Sequence, residues 1–149
     1  MPGILVGVDG SDHSRYAVRW AMQEAVLRQA PLTVMTVRPG TARPATMFFW
    51  GLHVYAENGH NEDAVRNAVQ ELIDKVASEV GGTRPAVTVS VATGNPAEEL
   101  VNASRDADML VVGSRGAGGF GRLVLGSVSS QVTHHAGCPV VVIPSAADL

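Results

Sequence analysis

Cysteine is almost missing from this chain: Cys138 is the only one, so no internal disulfide can form. A reducing cytoplasm is the simplest home for such a protein. Lysine is equally scarce. Lys75 stands alone and lies on a helical stripe, which excludes a P-loop, since that motif needs Lys followed by Ser or Thr after its glycines. No apolar run is long enough for a membrane span. The opening MPGILVGVDG has neither a charged n-region nor a long apolar region, so it does not read as a signal peptide. A net charge of −3 argues against a general nucleic-acid or anionic-membrane binder. Hydrophobic content of 46% with 17% charged residues fits an ordinary globular protein. The 149 residues are most simply one domain, 1–149, long enough to bury a full core.

One region lacks acids altogether. From Met109 to Ala147 there is no Asp or Glu. Within it, Gly113 to Ser129 reads GSRGAGGFGRLVLGSVS, with Arg115 and Arg122 among its glycines. Glycine lets backbone approach a ligand closely and adopt positive φ. A helix N-terminus after such a loop presents unpaired N–H groups to an anion. The stretch reads as a phosphate cradle. Gly116-Ala117-Gly118-Gly119-Phe120-Gly121 formally matches a dinucleotide fingerprint, but no helix opens at once and no acid follows at the required distance. That match is coincidental; Gly118, Gly119 and Gly121 give the loop its shape.

The rest of the chain alternates strands and helices. Ile4 to Val8 reads as a buried strand, followed by the turn Asp9-Gly10-Ser11-Asp12, with Ser11 or Asp12 capping the next helix. Val18, Ala21, Met22 and Ala25 fall at helical spacing. Leu32 to Val37 is a second strand, and Arg38 to His60, containing Met47-Phe48-Phe49-Trp50, a long loop. Val65, Ala68, Val69, Leu72, Val76 and Val80 mark a helix stopped by Gly81-Gly82. Val87 to Ala92 is a third strand. Asn95-Pro96-Ala97-Glu98 supplies an N-cap, a first-turn proline and a capping-box acid for a helix to about Arg105. Met109 to Val112, a helix over Ser127 to Ala136, and Val140 to Ile143 complete the pattern. Apolar strands alternating with helices predict a parallel sheet covered on both faces, with ligands beyond the carboxyl ends of its strands.

The spacing Gly113-x2-Gly116-x9-Gly126-Ser127, with ILVGVDGSDHS, NPAEELVNAS, DMLVVGSRG and HHAGCPVVVIP, resembles the ATP-binding branch of the universal stress protein family. The resemblance implies a single-domain, doubly wound α/β fold of the adenine nucleotide alpha hydrolase type, its five parallel strands in the order 3-2-1-4-5. It implies ATP as ligand, with Mg2+ or Mn2+. Asp9, between Gly7, Val8 and Gly10, would contact the ribose or the metal, and the backbone at Val37 would meet the adenine. Gly113, Ser114, Arg115 and Gly116 would line the ribose and phosphate path. Gly126, Ser127, Val128 and Ser129 would hold the phosphates. A homodimer through Val140 to Ile143 is implied as well.

The resemblance implies a nucleotide-binding stress or energy-state regulator, at most a slow ATPase, because no general base is expected near the loop. An ATP-activating enzyme of the related hydrolases would carry a serine- and glycine-rich loop where this chain has Asp9-Gly10-Ser11-Asp12-His13-Ser14. A nucleotide-independent dimeric adaptor, or a binder of cAMP or ADP, is the alternative. His134 and His135, adjacent on a helix, point about 100° apart and do not readily chelate one metal. Cys138 reads as a small buried apolar residue.

Overall fold

A computed structural model of the chain describes residues 2–38, 62–114 and 126–144. Its elements are β1 (Ile4–Gly7), α1 (Asp12–Arg28), β2 (Leu32–Arg38), α2 (Glu62–Val80), β3 (Val87–Thr93), α3 (Pro96–Ser104), β4 (Met109–Gly113), α4 (Ser127–His135) and β5 (Val140–Ile143). All strand pairs are parallel, and the five-stranded sheet has the order β3-β2-β1-β4-β5. This is the expected fold. Strand order reverses between β1 and β4, which creates a crevice at their carboxyl ends.

The two faces of the sheet are covered by different helices. One face packs Val6, Val34 and Val111 against Ala17, Ala21 and Met22 of α1 and Val69, Ile73 and Val76 of α2. The other packs Leu5, Val37 and Val112 against Ala97 and Leu100 of α3 and Val132 of α4. Central β1 is therefore buried on both sides, which is why ILVG is an unbroken apolar run with no alternation. In α2 the buried stripe is Val65, Val69, Ile73 and Val76. Ile73 belongs to it although the expected stripe omits it, and Leu72 and Val80 sit at its margin.

Several boundaries move by a residue. Arg38 is the last residue of β2, paired with Thr93, and does not start the loop. Gly113 closes β4 opposite Ile143, so the ladder runs one residue into the glycine-rich stretch. Val8 lies just past β1, its N–H still donating to Met35 O at 2.9 Å. The Asn95 cap forms as expected: its Oδ1 accepts from Glu98 N at 3.0 Å, with Pro96 in the first turn. Helix α4 ends at His135, one residue early. The expected loop with Met47-Phe48-Phe49-Trp50 lies outside the described residues, apart from Arg38.

Candidate functional site

The turn after β1 is organised by a buried carboxylate. Asp9 is 2% exposed. Its Oδ1 accepts from Ser11 N at 2.8 Å, Ser11 Oγ at 2.5 Å and Ser14 Oγ at 2.6 Å, while its own N–H donates to Ser14 Oγ at 2.9 Å. Gly10 permits this fold-back with a φ of +83°, which a side chain rarely adopts. Ser11 stands at the N-cap of α1 but makes no side-chain cap bond, because its hydroxyl is drawn to Asp9. The expectation that Ser11 or Asp12 caps α1 holds in position only: Ser11 is the N-cap residue, but Asp9 orders the start of α1 through Ser11 and Ser14. Ser14 carries no signal of its own beyond its place three residues past Ser11.

The second half of the crevice is a closed stem. Gly126 N donates to Ser114 O at 2.8 Å, and Ser114 N donates to Ile143 O at 2.8 Å. Ser129 Oγ reaches both Ser114 O, at 3.1 Å, and Gly126 O, at 3.0 Å. The start of α4 is thereby fastened to the carboxyl end of β4. Ser130 N is bonded to Gly126 O at 2.9 Å, whereas the first-turn N–H groups of Ser127, Val128 and Ser129 have no acceptor within their own helix. Ser127 is exposed and Ser129 buried. Among the described residues, the buried Ser114 Oγ has no hydrogen-bond partner. Such an orphaned hydroxyl costs stability unless something else satisfies it.

Two expected site residues have clear packing roles. A Cβ at Gly7 would lie 2.9 Å from Leu100 Cδ1 and 3.1 Å from Cδ2, so glycine is needed there for α3 to seat on the sheet. Val37 is 1% exposed and packs on the α3 and α4 side. Because Met35 O faces β1, accepting from Val8 N, the two-residue strand period turns the Val37 peptide to the same side, past the end of β1.

The structure brings Gly7, Val8, Asp9, Gly10, Val37, Gly113 and Ser114 to the carboxyl ends of β1, β2 and β4 or the turns that follow them, and joins to the end of β4 the start of α4, with Gly126 at its N-cap and Ser127, Val128 and Ser129 in its first turn. Arg115, Gly116, Gly118, Gly119, Gly121 and Arg122 lie outside the described residues. Chemically, the crevice joins a carboxylate that accepts hydroxyl hydrogens to a helix start that donates to anions. His134 and His135 sit exposed at the opposite end of α4, their ring centroids 6.2 Å apart. Cys138 is half-buried, not fully buried, against the α3 and α4 side of the core.

Comparison with known proteins agrees with this architecture. The model of the universal stress protein family matches residues 2–144. A universal stress protein of Mycolicibacterium smegmatis is 39% identical over 142 residues, covering 95% of this chain and 47% of the relative. The chain spans about half the length of the curated relatives it matches. Among solved structures, the universal stress protein UspA from Lactobacillus plantarum superposes with a TM-score of 0.75 at 30% identity, covering 95% of this chain and 97% of that one. A universal stress protein crystallised in complex with cAMP has a TM-score of 0.64 at 27% identity, covering 96% of each chain.

Proposed function

Since the chain belongs to the universal stress protein family, we propose that it binds an adenine nucleotide, ATP with a divalent cation, at the carboxyl edge of its sheet. On this reading it acts as a regulator that follows stress or energy state. The observation that carries it is the 2.8 Å bond from Gly126 N to Ser114 O, which sets the N-terminus of α4 beside the end of β4 where strand order reverses. The first-turn N–H groups of Ser127, Val128 and Ser129 would donate to phosphate oxygens. Gly113, Ser114, Arg115 and Gly116 would line the path, with the orphaned Ser114 hydroxyl gaining a partner. Asp9 would accept from the ribose hydroxyls, and the Val37 peptide would meet the adenine edge. The Ser129 hydroxyl is engaged by two carbonyls, so its share falls to the backbone. Charge-assisted bonds of about 1.5–3 kcal/mol each support micromolar affinity after ordering costs.

A divalent cation fits this chemistry. Mg2+ is commonly held by one or two carboxylates together with phosphates and water, and Asp9 is such a carboxylate. Among the described residues no group of three or more His, Cys, Asp or Glu gathers to hold an ion unaided. When bound, the ion would screen the phosphate charges. Hydrolysis also needs a positioned water and a group to orient it; the two histidines at the far end of α4 are poorly placed for that. On this reading the protein is a binder with at most slow turnover, works in the cytoplasm, and pairs as a dimer through Val140 to Ile143 of β5. A preference for cAMP is the second reading, favoured by the 27% identical neighbour crystallised with it.

The test is to denature freshly purified protein and identify the released nucleotide by chromatography and mass spectrometry. Near-stoichiometric ATP supports slow turnover, and cAMP supports the second reading. An empty protein that also ignores added Mg-ATP and cAMP overturns both.

A further inference from the structure

The two edges of the sheet are unlike. In a parallel strand, the N–H and C=O of one residue face one neighbour and those of the next residue face the other. Leu32 N donates to Ala86 O, and Gly94 N to Arg38 O, each at 2.8 Å. Thr88, Ser90 and Ala92 therefore face β2, while Val87, Val89, Val91 and Thr93 turn their peptide groups outward. At the opposite edge, Pro139 O accepts from Leu110 N and Ile143 O from Ser114 N. Only Val140 and Val142 of β5 then face outward, between Pro139 and Pro144. The β3 edge is the longer template for another strand, and long unpaired edges invite association.

That edge is guarded. Arg66 of α2 reaches across to donate from Nη1 to Val89 O at 2.8 Å, in the middle of the outward row. Glu62, one helical turn earlier, holds the same guanidinium through Nη2 at 3.5 Å. Glu62 also faces Arg38 Nη2 at 3.8 Å, and Arg38 donates to Thr93 Oγ1 at 3.3 Å at the end of the same strand. A fixed cation on a backbone acceptor removes a docking point and places charge where an incoming strand would lie.

We propose that Arg66 closes the β3 edge of the sheet to strand addition by a second copy of this chain.

The test is light scattering coupled to size-exclusion chromatography, over a concentration series, on wild type, Arg66→Ala and Arg84→Ala. Arg84 pairs with Asp74 at 2.7 Å on the surface, so its loss changes charge equally without opening the edge. Arg66→Ala is expected to show roughly a doubling or more of weight-average mass with concentration, while Arg84→Ala follows wild type. Adding Val91→Pro, which removes an outward N–H and no ladder bond, should return Arg66→Ala to the wild-type mass. The β3 claim is overturned if Arg66→Ala keeps the wild-type mass, if Arg84→Ala gains as much, or if Val91→Pro reverses nothing.

Discussion

Ser129 and Ser114 stand 15 residues apart in the chain, and the Ser129 hydroxyl donates to the Ser114 carbonyl at 3.1 Å. With the Gly126 N bond to the same carbonyl, it fastens the first turn of α4 to the last residues of the sheet. The position of the proposed anion site depends on this stem. Ser129→Ala removes the hydroxyl and leaves every backbone donor in place. Stability is expected to fall by about 1–2 kcal/mol, since a buried hydroxyl bonded to two carbonyls is lost. The midpoint of urea unfolding measures it; an unchanged midpoint would mean that the stem is held without Ser129.

Gly7 is a packing glycine under α3. Gly7→Ala sets a methyl 2.9 Å from Leu100 Cδ1, an overpacking expected to cost about 1–3 kcal/mol. Leu100→Val in the same chain should recover part of that cost. A thermal-unfolding double-mutant cycle reads the coupling; strictly additive effects would remove the contact as the cause.

Asp9 has a structural duty beside its proposed ligand role. Asp9→Ala strips the acceptor from Ser11 N, Ser11 Oγ and Ser14 Oγ. A loss of about 2–3 kcal/mol is expected, because buried donors are left unsatisfied. Asp9→Asn keeps an acceptor and should stay closer to wild type in stability while binding nucleotide more weakly. Equal nucleotide affinity in Asp9→Asn and wild type would confine Asp9 to the turn.

Burial, and secondly the Asp108 carboxylate, push the Cys138 thiol above its ordinary pKa. The folded protein thus holds the thiol proton more tightly than the unfolded chain. The contribution to stability is complete below the unfolded pKa and is lost as pH rises through the folded one. Because the thiolate is the nucleophile, iodoacetamide should alkylate native Cys138 more slowly than denatured Cys138, with the native rate rising at a more alkaline pH. Matching profiles for the two states would contradict this.

The sheet order was legible once the family resemblance was read, and the element sequence was legible from apolar periodicity, caps and glycine stops. Asn95 and Pro96 announced α3 because capping is a local effect, fixed within four residues of chain. What escaped the sequence depended on the folded backbone, whether the partner lay near or far along the chain. Ser11 looked like a cap, and only the folded turn shows Asp9 claiming its hydroxyl. Gly7 was legible only as a neighbour of Asp9 at the expected site, and its packing duty shows only with Leu100 of α3 against it. Arg66 carried no signal, because its acceptor is a carbonyl 23 residues away whose outward direction depends on strand register.

The most direct measurement is calorimetric titration of Mg-ATP into wild type and Ser127→Asp. Ser127 is exposed in the first turn of α4, so an acid there suits the helix dipole and should not lower the melting temperature. It would, however, set a negative charge where the phosphates are proposed to sit. Saturable binding at one site per chain in wild type, weakened roughly tenfold or more in a fully folded Ser127→Asp, is the expected result, equivalent to about 1.4 kcal/mol. Equal affinity in the two proteins, or no binding to wild type, would contradict the phosphate site at the start of α4.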